Sequence, residues 1–96
     1  MRKETNIMDI KIETFSDDEL KQKGVYSWPI WSKEVSEFDW YYDSTEECYL
    51  LDGKVVVSTR DGKKVEFGKG DFVTFPKGLS CRWQIKDPVR KHYNFK

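Results

Sequence analysis

Histidine is almost missing from this chain. A single one, His92, occurs among 96 residues, which argues against the His-rich sites that hold catalytic zinc or iron. Cysteine is scarce too: Cys48 and Cys81 are too few for a disulfide framework and are expected to stay reduced. No apolar run approaches the roughly 18 residues that a membrane-crossing helix needs, so no membrane partner is expected. The start of the chain, MRKETNIMD, carries neither an apolar core nor a small-residue cleavage site; no secretory signal is expected there, and the cytoplasm is the expected compartment. Net charge is absent as well. Seventeen Lys and Arg balance seventeen Asp and Glu, which removes the electrostatic footprint of a nucleic-acid binder. Because a core of ordinary size takes about 100–150 residues, one domain is expected and a second would have nothing to bury.

Aromatic residues, by contrast, are plentiful. Fifteen Phe, Trp and Tyr make up 16% of a chain that is 35% charged, a combination that points to a lined cavity or a dense core. The charge is uneven along the chain: residues 1–48 hold six bases and twelve acids, residues 49–96 eleven bases and five acids. In an all-β fold the two halves interleave, so this asymmetry reads as internal complementarity rather than as two lobes.

Residues 1–6 are polar and read as a flexible N-terminus, followed by one domain over 7–96. Alternation from Ile10 predicts a half-buried strand within Ile7–Thr14. Ser16 and Glu19 stand at capping-box spacing, which predicts a short helix over Asp17–Lys23 that Gly24 stops. Seven aromatics fall between Tyr26 and Tyr42, and Pro29 allows only an edge strand or extended arm at the start of that stretch. Strands are then predicted at Glu46–Leu51, Lys54–Thr59, Lys63–Phe67, Asp71–Phe75, Ser80–Ile85 and Val89–Phe95. Asp52-Gly53, Asp61-Gly62, Gly68 to Gly70, Pro76 to Gly78 and Asp87-Pro88 separate them. Short strands with turns about every 8–12 residues indicate an all-β sandwich or barrel.

The punctuation of residues 46–81 resembles the two sequence motifs of the cupin superfamily, small jelly-roll β-barrels of the RmlC-like type. Glu46 and Gly53 stand at the spacing of the first motif, and Gly70, Pro76 and Gly78 at that of the second. The blocks WPIW at 28–31, FDWYY at 38–42, GDFVTFPKGL at 70–79, CRW at 81–83 and PVRKHY at 88–93 look like the ureidoglycine aminohydrolase-type cupin family, most of all its short, single-domain, uncharacterised members. The resemblance covers roughly 26–95 and implies barrel motifs over 38–95. It also implies where a metal would sit, because metal-loaded cupins hold a divalent ion with two histidines, a glutamate and a third histidine. Those positions fall here at Trp40, Tyr42, Glu46 and Cys81, so one ligand of four survives. No metal or other cofactor is expected. A substitute set of Tyr42, Glu46 and Cys81, with Cys48 on the same strand face as Glu46, is the lesser alternative; the simpler reading makes both cysteines small buried hydrophobes.

A carboxylate facing an aromatic interior needs a cation, a donor or a ligand. For Glu46 the candidates are Lys91, Arg82 and the phenols of Tyr42 and Tyr93. Glu46, Tyr42 and Lys91 are therefore the candidate catalytic group, and Trp40, Tyr42, Glu46, Cys81, Trp83 and Tyr93 the candidate ligand-binding set. The register that turns Lys91, Tyr93 and Phe95 inward to line the cavity turns Arg90 and His92 outward, giving His92 a structural or surface role. Trp28, Trp31, Trp40 and Trp83 are candidates for pocket walls or for a dimer surface; the arm from Tyr26 to Trp31 is the candidate interface of a homodimer, and Trp40 and Trp83 the candidate walls. Two functions are consistent with this. One is a small-molecule-binding cupin, an enzyme of metal-independent type acting on a small polar nitrogen compound; the other is a non-catalytic module for dimerisation or partner binding. The aminohydrolase activity itself is not carried over, since that enzyme has two domains and depends on its metal.

Overall fold

Two long strands organise the molecule, whose computed structural model describes residues 10–96 together with the backbone of residues 5–7. In chain order the elements are β1 (Thr5–Ile7), β2 (Ile10–Glu13), α1 (Asp17–Gln22), β3 (Ile30–Lys33), β4 (Ser36–Tyr41), β5 (Glu46–Thr59), β6 (Lys64–Gly68), β7 (Phe72–Phe75) and β8 (Ser80–Phe95). The antiparallel partners β5 and β8 run for 14 and 16 residues, and each serves two half-sheets. The first half of β5 lies between β7 and the last residues of β8, with β2 beyond β7 and β3 beyond β8. Its second half lies between β6 and the first residues of β8, with β4 on the far side. The half-sheets pack on one core that includes Cys48, Leu50, Val55, Val57, Phe67, Phe75, Trp83 and Ile85. The architecture is the expected all-β jelly-roll barrel in one small domain.

The change of direction happens where the sequence suggests chain reversals. Asp52-Gly53 and Asp87-Pro88 are not turns between separate strands; both lie inside continuous strands, at register shifts between Leu50 and Val55. Gly53 has φ 121°, and a Cβ on it would stand 2.8 Å from Val89 Cγ2 and 2.9 Å from Val89 Cα. The two strands touch backbone to backbone there, as a β-bulge allows. Pro88, which has no N–H to give a ladder, is tolerated at such an irregularity. Glycine and proline mark a bend in both cases, and sequence cannot tell a bend inside a strand from the end of one.

The helix forms as predicted. Ser16 Oγ accepts from the Glu19 N–H at 3.2 Å, and the Ser16 N–H donates to Glu19 Oε1 at 2.9 Å, so two otherwise orphaned donors are satisfied. Gly24 at φ 78° ends it, and a 3-10 turn over Val25–Ser27 that was not predicted follows. Leu20, Val25 and Phe72, joined by Phe15, Trp28 and Tyr49, make a second apolar cluster. It covers the face of the first half-sheet turned away from the barrel interior, which is why adjacent residues Phe72 and Val73 are both buried. Cross-half ion pairs, Arg82 with Glu37 and Asp39 and Lys96 with Glu47, bear out the reading of the charge asymmetry as internal complementarity. The expected flexible segment 1–6 lies outside the described residues, apart from the backbone of Thr5 and Asn6, which pairs with Ile12 and Lys11. No helix among the described residues is long and apolar enough to cross a membrane.

Candidate functional site

Alternation along four strands turns a set of aromatic and charged side chains into the barrel. On β5 Glu46, Cys48 and Leu50 face in; on β8 Trp83 and, further on, Lys91 and Tyr93 do so. The pairing of β4 with β8 sets Phe38 opposite Trp83 and Trp40 opposite Cys81, and that of β3 with β8 sets Trp31 opposite Lys91. Together Trp31, Phe38, Trp40, Tyr42, Glu46, Trp83, Lys91, Tyr93 and Phe95 line a cavity of about 180 Å³.

Lys91 Nζ donates to Glu46 Oε2 at 2.6 Å, with both side chains about 5–6% exposed. Glu46 stands opposite Phe95 and Lys91 opposite Leu50, so these two long side chains, on neighbouring strands and the same inner face, reach toward each other along the sheet to meet. Nζ also lies 5.1 Å from the ring centre of Trp31 and 4.9 Å from that of Trp83, within the range of cation–π attraction. Next to the pair, Tyr42 stacks on Phe75 at 4.7 Å, and its hydroxyl accepts from Trp83 Nε1 at 3.1 Å. Its backbone is clamped by the turn of the second motif: the Tyr42 N–H donates to Leu79 O, and the Gly78 N–H donates to Tyr42 O. Burial, reinforced by the Glu46 charge, holds the Tyr42 phenol well above the usual tyrosine range.

Of the expected ligand-binding residues, Trp40, Tyr42, Glu46, Trp83 and Tyr93 line this cavity and Cys81 does not. Cys81 borders a separate surface recess with Asp39, Tyr41 and Arg60, and Trp40 lines both. Of the partners considered for Glu46, Lys91 is the one in contact, whereas Arg82 points out to Glu37 and Asp39. His92 does turn away from the interior, yet it is buried: Nδ1 lies 2.8 Å from Trp28 O, and Tyr26 packs edge-on against the ring. The arm taken as an interface divides, since Trp28 packs on Phe72 while Trp31 is a cavity wall. Trp31 and Phe95, both considered as cavity-lining residues, do line it. Phe38 was missed, though it was within reach of the period-2 rule from Trp40.

A model of the EutQ-like cupin domain matches residues 20–93. The chain belongs to that family. A DUF861-family protein of Thermotoga maritima is 62% identical, over 91% of this chain and 99% of its own, with a TM-score of 0.88. The EutQ protein of Clostridium difficile is 19% identical at TM-score 0.63; this chain, 98% of which is covered, spans 64% of that one. The putative ethanolamine utilization protein Q of Salmonella typhimurium is 18% identical at TM-score 0.62, with 96% of this chain and 76% of that one covered. These two likenesses are of fold. No curated protein matches.

At the positions where metal-loaded cupins carry their ligands, the donor set of this chain does not fit a metal. At the ligand positions the Trp40 indole is a donor without a lone pair to give, the Tyr42 phenol is held neutral by burial, and Glu46 is committed to Lys91. Burial pushes the Cys48 thiol up to about 12 and the Cys81 thiol up to about 11, so neither supplies a thiolate near neutral pH. Among the described residues no group of three or more His, Cys, Asp or Glu could hold an ion.

The thiols carry a testable consequence. At pH 8 the native protein is expected to resist alkylation at Cys48 and to react slowly at Cys81, while both react at once in denaturant. The sign of the pH dependence follows. The thiols ionise near 9.0 when unfolded but only near 11 and 12 when folded, so their contribution to stability is complete below about pH 9 and is lost as pH rises through those values. Fast alkylation of Cys48 in the native state at pH 8 would contradict this burial.

Proposed function

We propose that this EutQ-like cupin binds a small, largely planar molecule in the aromatic cavity, with the Glu46–Lys91 pair as its polar anchor and without a metal. The observation that carries the reading is the buried ion pair set in the cavity wall. The hydrophobic cluster that fills the barrel packs around it, yet here two charges are taken out of water at a desolvation cost that neutral packing would avoid. A cavity of roughly 150 Å³ lined by apolar groups accommodates benzene, so the 180 Å³ here suits a ligand of that size. Glu46, Tyr42 and Lys91 would act on such a ligand, and Trp40, Trp83 and Tyr93 would wall it. The resemblance of the blocks at 28–31, 70–79 and 88–93 to ureidoglycine aminohydrolase-type cupins, and the ethanolamine utilization name of the Salmonella relative, favour a small polar nitrogen compound.

Screening small planar fragments, benzamide and benzyl alcohol among them, by tryptophan fluorescence and ligand-observed NMR tests this. Binders are expected to quench the emission of Trp31, Trp40 and Trp83, and the double variant Glu46→Gln with Lys91→Met is expected to weaken polar binders by about tenfold or more. A folded protein that takes no fragment, or a double variant with unchanged affinities, would overturn the assignment.

A second reading, the homodimer, draws support from Ile30, which is about half exposed on edge strand β3. Light scattering is expected to give twice the chain mass, and Ile30→Lys to give monomers. A wild-type monomer at high concentration would end this reading.

A further inference from the structure

We propose that Lys91 forms an imine with small aldehydes or ketones that enter the aromatic cavity, with Glu46 shuttling the protons. The proposal rests on the cavity being a ligand site and narrows the ligand to carbonyl compounds. Three features of the geometry converge on Nζ. It opens onto a cavity able to hold a benzene-sized molecule. It lies 2.6 Å from a carboxylate oxygen, close enough for direct proton transfer. It sits about 5 Å from the faces of two indoles, which attract a cation there.

The steps balance without another reactant. Glu46 takes a proton from the Lys91 ammonium across the 2.6 Å contact. The freed Nζ lone pair attacks the carbonyl carbon, and the carbonyl π electrons move to oxygen, which takes a proton from nitrogen to give the carbinolamine. Glu46 then returns its proton to that hydroxyl. The C–O bond breaks, water leaves, and the nitrogen lone pair closes the C=N bond. The product is a protonated imine beside a carboxylate. One ammonium and one carbonyl have become one iminium and one water, so the cavity holds the same charges in the same places before and after. The indole faces and Glu46, which stabilise the ammonium in the resting protein, stabilise the iminium equally. Lysines held in desolvated pockets act as nucleophiles toward carbonyl compounds, and here the carboxylate at 2.6 Å supplies the base that must free the amine.

The experiment is reductive trapping. The intact chain is incubated with benzaldehyde and sodium cyanoborohydride and mapped by peptide mass spectrometry, with benzyl alcohol as the non-carbonyl analogue. One benzyl group is expected on Lys91 ahead of exposed lysines such as Lys54 and Lys86, and excess benzyl alcohol is expected to suppress it. Labelling confined to exposed lysines, in a protein whose fluorescence shows benzyl alcohol bound, would overturn the imine and leave the cavity reading intact. Absence of both labelling at Lys91 and a fluorescence response would overturn both. Glu46→Gln is expected to slow trapping at Lys91 about a hundredfold at saturating benzaldehyde, a loss in rate beyond any loss of affinity. Glu46→Asp, which keeps the carboxylate one methylene further away, is expected to fall between. Equal rates in all three would remove Glu46 from the proton transfers.

Discussion

Replacing Lys91 by Met is expected to cost the fold about 3–5 kcal/mol, because it leaves the Glu46 carboxylate buried without its cation. Lys91 Nζ is the group in contact with Glu46, at 2.6 Å, and both side chains are nearly inaccessible to water. A domain of this size has on the order of 5–15 kcal/mol in total, so the single variant would be close to unfolded in mild urea. The partner experiment carries the physics. Adding Glu46→Gln to Lys91→Met removes the orphaned charge, and the double variant is expected to recover most of the loss, since neutral replacement of a buried pair is often near neutral in stability. Urea melts at constant slope would measure both. A Lys91→Met variant that loses less than about 1 kcal/mol would mean that the pair behaves as a hydrated surface bridge and that the cavity is wetter than its lining suggests.

The second large effect belongs to Gly53. Gly53→Ala is expected to cost about 3 kcal/mol or more, adding the strain of a side chain at φ 121° to overpacking against the facing strand. Its Cβ would meet Val89 Cγ2 at 2.8 Å, Val89 Cα at 2.9 Å and Pro88 O at 3.1 Å. Two of these three atoms are backbone, so a second change, Val89→Ala, is expected not to rescue it. Gly62→Ala is the control: φ is 82° there but nothing lies within 4 Å of the added carbon, and about 1–2 kcal/mol of backbone strain is expected alone. Thermal or urea melts of the three variants decide it. If Gly53→Ala costs no more than Gly62→Ala, the two positions are alike and Gly53 is an ordinary turn glycine.

Gly53 also shows how far the fold was legible. Its need for a positive φ could be read from Asp52-Gly53, and the capping box at Ser16 and Glu19 could be read because both depend on residues within three positions of each other. Strand alternation was equally local: it turned Glu46, Trp83, Lys91 and Tyr93 inward and His92 away from the interior. Each of these rests on the two-residue period or on a single turn, and neighbours in the chain suffice to express it.

The rest required contacts between distant segments. That Asp52-Gly53 and Asp87-Pro88 bend long strands rather than end short ones depends on those two points lying against each other across the β5–β8 ladder. That His92 is buried although it faces away from the barrel depends on the 3-10 turn and Trp28 folding over it. The site divides in the same way. The sequence alone, through its resemblance to metal-loaded cupins, set Trp40, Tyr42 and Cys81 against their histidine positions, and it determined that Glu46, if it faced inward, would need a partner there. Tertiary structure alone decided that the partner is Lys91 and not Arg82, that Trp31 walls the cavity while Trp28 packs on Phe72, and that Cys81 borders a separate recess. A residue's face is set by its own strand, but its neighbours across the barrel are set by the register of strands that are far apart in sequence, and a shift of one residue in that register would exchange them all.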